Sequence, residues 1–177
     1  MKTPRHPQGF RAPAFTLIEL MVVIAIILVL ASMVVGGMGW YKRKAAEGKT
    51  QVLVSSIERA LEEYKLDNGV FPTGGGGDNS TIEVYKALYG DADANGTPDS
   101  GAKVYLEILN PSNTGNKLNV DTSNYTIIDA WGSPLHYQSP GEMNPADDFD
   151  LWSLGANGQG GPASNNKKDK ADDIKNW

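Results

Sequence analysis

The 177-residue chain has no cysteine. No disulfide can therefore brace its loops, and any staple must be of another kind, a bound metal among them. Histidine is scarce, with His6 near the start and His136 far along the chain. His136 has no acid or serine spaced as a partner. The glycine run at 74–77 lacks the Lys-Ser/Thr that would complete a phosphate-binding loop. With no catalytic constellation in view, the chain reads as a non-enzyme. Basic charge is limited too: 16 Lys and Arg stand against 21 Asp and Glu, a net charge of −5. The first fourteen residues hold Lys2, Arg5 and Arg11 and no acid, which leaves −8 for the remainder. No basic patch is interleaved with aromatic residues, so a nucleic-acid partner is not expected.

What the chain does have is unevenly spread. Its apolar residues crowd into the first third, while the last hundred residues are rich in Gly, Asn, Asp and Ser. Residues 20–40 are 21 positions without a charge, roughly 30 Å of helix and about one hydrocarbon thickness. The run exceeds the apolar core of a cleaved secretory signal. The basic flank places the N-terminus in the cytoplasm and the rest across the membrane, with Lys42, Arg43 and Lys44 acting against that orientation. One residue at the edge of the run is out of place: Glu19, a carboxylate that is costly in lipid unless it is paired. A plain membrane anchor gives no reason for it. A segment that leaves the bilayer for a protein assembly does.

The stretch "AFTLIELMVVIAIILVLASMVV" resembles the N-terminus of type IV pilin-like proteins. That resemblance implies cleavage between Ala14 and Phe15 by a prepilin peptidase, which removes residues 1–14 and methylates the new amine. Ala14 stands where the family usually has Gly. The cationic amine of Phe15 would then meet Glu19 of a neighbouring subunit, two costly charges becoming one hydrogen-bonded pair that fixes the axial offset.

The helix is expected to continue to about Leu66. Ala46, Thr50, Leu53, Ile57, Ala60 and Tyr64 recur at spacings of four and three on one face, and Asn68-Gly69 is a stop signal. Gly36, Gly37 and Gly39 weaken it midway, either for local unwinding on assembly or for close helix packing. The segment "LEEYKLDNGVFPT" resembles the end of the stalk helix in the major pseudopilin of type II secretion systems, as do "DAWGSPLHYQSPG", "FDLWSLGANGQGG" and "DDIKNW" further on. The resemblance covers 14–73 and 129–177; residues 74–128 depart from it. Within that departure, "TGGGGDNS" reads as a flexible surface loop and Ser80 as the cap of a short helix, Thr81 to Leu88, closed by Gly90. Residues 125–128, 135–137 and 149–154 read as three short strands of an antiparallel sheet.

Two loops are candidate metal sites. Asp91, Asp93, Asn95 and Asp99, with Gly96 at the turn, match the first positions of a calcium loop, but Ala102 occupies the place of its bidentate glutamate. A solvated acidic turn is the simpler reading there. The resemblance points instead to the loop after SLGA, where Leu154 would offer its carbonyl, Asn157 stands where Asp is usual, and Asp173 matches the acid before the terminal Ile, with Asp172 beside it. Lys167, Lys168 and Lys170 lie in the same loop.

The expected architecture is α+β: a leader at 1–14, a transmembrane and assembly helix at 15–40, and a periplasmic head at 41–177 that includes the second half of the stalk helix, a three-stranded antiparallel sheet and a calcium-dependent C-terminal loop. By resemblance the chain is a single-pass inner-membrane subunit, N-terminus in the cytoplasm, that polymerises into a helical pseudopilus. Its implied partners are copies of itself, minor pseudopilins, the prepilin peptidase and methyltransferase, and the inner-membrane secretion platform. The alternative is a type IV pilin or minor pilin used in adhesion, motility or DNA uptake.

Overall fold

A computed structural model describes residues 15–113 and 119–177, and at 34–38 the backbone only. The leader at 1–14, Ala14 with it, lies outside the described residues. The chain divides into two compact units, the first ending at Tyr41 and the second running from Lys42 to Trp177.

Helix α1 spans Leu17–Asn68 without a break, so Gly36, Gly37 and Gly39 are helical. Its first part exposes every described apolar side chain: Leu17 is 77% exposed, Leu28 65% and Met33 71%. Among the described residues no helix is long and apolar enough to cross a membrane. The side chains at 34–38 lie outside the described residues, however, and the uncharged sequence goes on to Trp40. At its other end α1 stops where Gly69 adopts φ +81°, its N–H closing on the Lys65 carbonyl at 2.7 Å.

In the second unit α1 presents the stripe the spacing implies. Thr50, Leu53, Ile57 and Ala60 are buried, and Val54 and Leu61 widen the face. The core they enter holds Val84, Tyr85 and Leu88 of α2 (Ile82–Tyr89), together with Ile127, Leu135, Tyr137, Phe149 and Leu151. α2 ends at Gly90 in the left-handed region, as expected. Ser80, however, is not its cap. Thr81 holds the N-cap position without a side-chain cap bond. The two hydroxyls tie α2 to the sheet side instead: Ser80 Oγ accepts from the Tyr137 amide at 2.8 Å, and Thr81 Oγ1 from the Ile127 amide at 3.0 Å.

The sheet has four antiparallel strands in the order β1 (Gly74–Gly75), β2 (His136–Ser139), β3 (Asp150–Ser153) and β4 (Ile174–Lys175). That corrects the expected three in two ways. Residues 125–128 make only isolated bridges, Val120 to Ile127 and Ile128 to Pro134. Tyr125 sits at φ +59° and Pro134 has no N–H to extend a ladder. The glycine run, read as a loop, supplies an edge strand: Gly74 pairs with Ser139 and Gly75 with Gln138. A Cβ on Gly74 would lie 2.2 Å from Cδ1 of Tyr137, so only glycine lets this strand lie against that ring.

Candidate functional site

Two groups of residues are candidates for function. The first is the start of α1. Thr16 and Glu19 form a reciprocal cap: Glu19 Oε2 accepts from the Thr16 amide at 2.8 Å and from its hydroxyl at 2.7 Å, while Thr16 Oγ1 accepts from the Glu19 amide at 3.3 Å. This is a capping box. The T-x-x-E spacing was visible in "FTLIE" and is a second reason, beside charge pairing, for an acid at 19. Phe15 next to it is 84% exposed.

The second group is the C-terminal loop. β3 ends at Ser153, which pairs with Ile174 of β4. Leu154 and Asp173 are the residues next to this last pair on either side, so the sheet brings the two ends of the loop together. The chain leaves β3 through a 3-10 turn, Gly155–Asn157. Gly155 has φ +65°, and a Cβ there would lie 2.2 Å from the carbonyl oxygen of Asp172. Each acid is held at one oxygen: Asp172 Oδ2 accepts from the Asn157 amide at 3.0 Å, and Asp173 Oδ2 from the Gly161 amide at 2.9 Å. The other oxygen of each, Oδ1, is buried with no donor. Burial pushes the Asp173 carboxyl above the usual carboxylate range; the Gly161 amide opposes this and the Asp172 charge reinforces it.

Two buried carboxylate oxygens without donors are costly for a protein alone. Carboxylate oxygens are the donor type that calcium takes. Asp172 and Asp173 therefore suit a calcium ion chemically, with the Leu154 carbonyl the third donor that the resemblance implies. Asn157 is occupied differently: its Oδ1 accepts from the Gln159 amide at 2.6 Å and its Nδ2 donates to the Asp169 carbonyl at 3.0 Å, pinning the two sides of the loop together. Among the described residues no group of three or more His, Cys, Asp or Glu could hold a metal.

The 91–99 turn uses its acids differently. Asp91 is fully buried rather than solvated. Its Oδ2 accepts from the Tyr85 hydroxyl and the Gly96 amide, both at 2.7 Å, and its Oδ1 from the Asn95 amide at 3.0 Å. Burial alone would raise its pKa, but these donors outweigh it and hold the carboxyl below the usual range. Asp99 Oδ2 accepts from the Ala92 amide at 3.0 Å, and Asn95 Nδ2 donates to Asp93 at 2.9 Å. The four residues do meet in one turn, and its acids are engaged by protein donors.

His136 stacks on Trp152 with ring centroids 5.3 Å apart. Its Nδ1 lies 3.2 Å from the Gly76 carbonyl and 3.9 Å from Asp78, an acid that spacing along the chain does not reveal.

Helix α1 opens with an acid-bearing apolar run and the second unit is α+β; the comparisons give the class. Residues 11–35 match the prokaryotic N-terminal methylation motif and residues 103–177 match the type II secretion system protein G family. The type II secretion system core protein G of Pseudomonas aeruginosa is 34% identical over 164 residues, covering 92% of this chain and 93% of that one. Its Klebsiella pneumoniae counterpart is 35% identical over 167 residues, covering 94% and 95%, and that of Vibrio cholerae is 32% identical over 180 residues, covering 100% and 96%. A solved structure, the major pseudopilin from the type 2 secretion system of enterohaemorrhagic Escherichia coli, is 24% identical with a TM-score of 0.41, covering 80% of this chain and 94% of its own. The chain belongs to the type II secretion system protein G family.

Proposed function

We propose that this pseudopilin is a structural subunit that waits in the bacterial inner membrane as a single-pass protein, N-terminus in the cytoplasm and head in the periplasm, and then polymerises with copies of itself into a pseudopilus that helps export folded proteins. Minor pseudopilins and the inner-membrane secretion platform are its further partners, and it catalyses no reaction. The observation that carries this reading is the exposed apolar first part of α1, residues 17–33, in which Glu19 is the one acid. A patch of this size in a lone subunit needs lipid or other subunits to cover it. Trp40 and Tyr41, 71% and 69% exposed, stand at the end of the uncharged run, where aromatic side chains favour the membrane–water boundary.

Processing sets the assembly chemistry. Cleavage between Ala14 and Phe15 leaves a methylated amine one residue from the Thr16 amide that Glu19 already holds. In the filament that amine is neutralised by Glu19 of an adjacent copy. Calcium in the C-terminal loop, held by the side chains of Asp172 and Asp173 and the Leu154 carbonyl, supplies the positive charge that the two donor-less oxygens lack and ties the chain end to β3. Intact-mass measurement of membrane-extracted protein tests the processing step. The expected species begins at Phe15 with one methyl group; a chain still carrying residues 1–14, or cut beyond the apolar run, contradicts it.

A further inference from the structure

A buried polar relay runs from α1 across the core to the start of the C-terminal loop. Thr50 Oγ1, fully buried on α1, donates to the Ala46 carbonyl at 3.0 Å and accepts from the Ala130 amide at 3.2 Å. The neighbouring residue, Asp129, is 4% exposed. Its Oδ1 accepts from the Trp131 and Ser133 amides, each at 2.9 Å, which locks the carboxylate in its turn. Its Oδ2 accepts from the Ser153 hydroxyl at 2.6 Å, and Ser153 Oγ accepts in turn from the Gly155 amide at 3.0 Å. Gly155 is the residue whose backbone lies against the Asp172 carbonyl.

The chemistry of this order is directional. A carboxylate only accepts, so the single Ser153 proton must point at Asp129. The lone pairs of Ser153 are then left for Gly155, and the first amide of the 3-10 turn has one place to go. A neutral amide at 129 would not fix that direction. Burying a carboxylate is costly unless it is well hydrogen-bonded, and here all three of its bonds serve one turn and one loop start.

We propose that Asp129 and Ser153 are positioning residues of the C-terminal loop: they set the backbone from which the Leu154 carbonyl is presented and so tune calcium affinity without touching the ion. This rests on the calcium reading above. Partners that orient a metal's own ligands typically change affinity by about 10- to 100-fold when removed.

The test uses the full-length protein in detergent, stripped with EDTA and dialysed, with calcium chloride as the titrant. Calcium dissociation constants are measured by calorimetry for wild type, Ser153→Ala, Asp129→Asn, Ser153→Thr and Tyr137→Phe, alongside melting midpoints in EDTA. Tyr137 is the control, because its buried hydroxyl donates to the Pro72 carbonyl at 2.8 Å, away from the relay. The expected result is calcium affinity weakened about 10- to 100-fold in Ser153→Ala and Asp129→Asn, recovered in Ser153→Thr, and unchanged in Tyr137→Phe even where its midpoint falls. Lower midpoints for Ser153→Ala and Asp129→Asn with wild-type affinity would make both residues ordinary core groups and overturn the relay alone. A wild-type protein that binds no calcium would overturn the metal reading and the relay with it.

Discussion

Thr16 and Glu19 hold each other reciprocally at the first turn of α1, through the Thr16 amide and hydroxyl on one carboxylate oxygen and the Glu19 amide on the Thr16 hydroxyl. The acid therefore has a partner in a lone subunit, before any filament exists. That partner lies one residue from Phe15, where processing would release a cation. The same carboxylate can cap its own helix and wait beside the place where a neighbour's amine is needed. These two roles make different demands on position 19: capping needs an acceptor oxygen, and pairing needs a charge.

Gly74→Ala should destabilise the head. The new methyl would lie 2.2 Å from Cδ1 of Tyr137 and 2.8 Å from the Tyr137 carbonyl oxygen, and that ring is buried. Overpacking of this kind costs about 1–3 kcal/mol. Gly75→Ala, where a Cβ meets nothing within 4 Å, should be close to neutral. Denaturant melts of the two variants check this; equal midpoints would mean that the edge strand does not hold its place against Tyr137.

The glycine strand shows why part of the fold was not legible in the sequence. The α1 stripe could be read because one helix face repeats at a fixed spacing, and the core bears it out from Thr50 to Ala60. A two-residue edge strand has no period to read. Gly74–Gly75 is defined by what it lies against, a ring more than sixty residues away along the chain. The supposed strand at 125–128 failed for a local reason, since an apolar run does not reveal a left-handed Tyr125 or where its pairing will meet a proline. At the candidate site, motif resemblance pointed to Asp172 and Asp173, whose carboxylates accept from the Asn157 and Gly161 amides across the loop. It did not show that the Asn157 amide is occupied as a cross-loop clamp, nor that Asp129 and Ser153 stand behind that loop, because those contacts are set by tertiary packing.

Calcium should raise the melting midpoint, through the C-terminal loop. At a hundred times the dissociation constant, ligand adds about 2.7 kcal/mol, or roughly 5–10 °C for a chain of this size. Magnesium should do less, since it sheds water reluctantly and demands stricter geometry. Asp172→Ala/Asp173→Ala should abolish the increment. Asp91→Ala/Asp93→Ala should instead lower the midpoint by about 1–3 kcal/mol equivalents in EDTA and calcium alike, because it leaves the Tyr85 hydroxyl and the Gly96 amide without their acceptor. A calcium increment lost only in the Asp91/Asp93 variant would move the site to the 91–99 turn.

The calcium increment should shrink as pH falls from neutral towards the ordinary carboxylate range. Burial raises the Asp173 carboxyl above its unfolded value. Its contribution to metal-free stability is therefore full below the ordinary carboxylate range and is lost as pH rises through the raised value. Calcium needs the ionised form, so protons compete with it. Midpoints measured across this range in EDTA and in calcium should converge on the acid side, and Asp173→Asn should remove the pH dependence of the difference. Parallel curves would show that Asp173 is not coupled to the ion.

Filament yield from Glu19→Gln tests the pairing most directly. Glutamine serves a capping box as glutamate does, so the variant keeps its helix start and enters the membrane, but it carries no charge to meet the Phe15 amine. In a strain that processes the protein normally, with processing confirmed by intact mass, sheared filaments are collected from wild type, Glu19→Gln and Glu19→Val. The expected result is wild-type membrane levels for all three and loss of filaments in both variants, because each strands the amine of a neighbouring subunit. Normal filaments from Glu19→Gln, with loss confined to Glu19→Val, would show that Glu19 serves only as a helix cap and would contradict assembly through a Phe15–Glu19 charge pair.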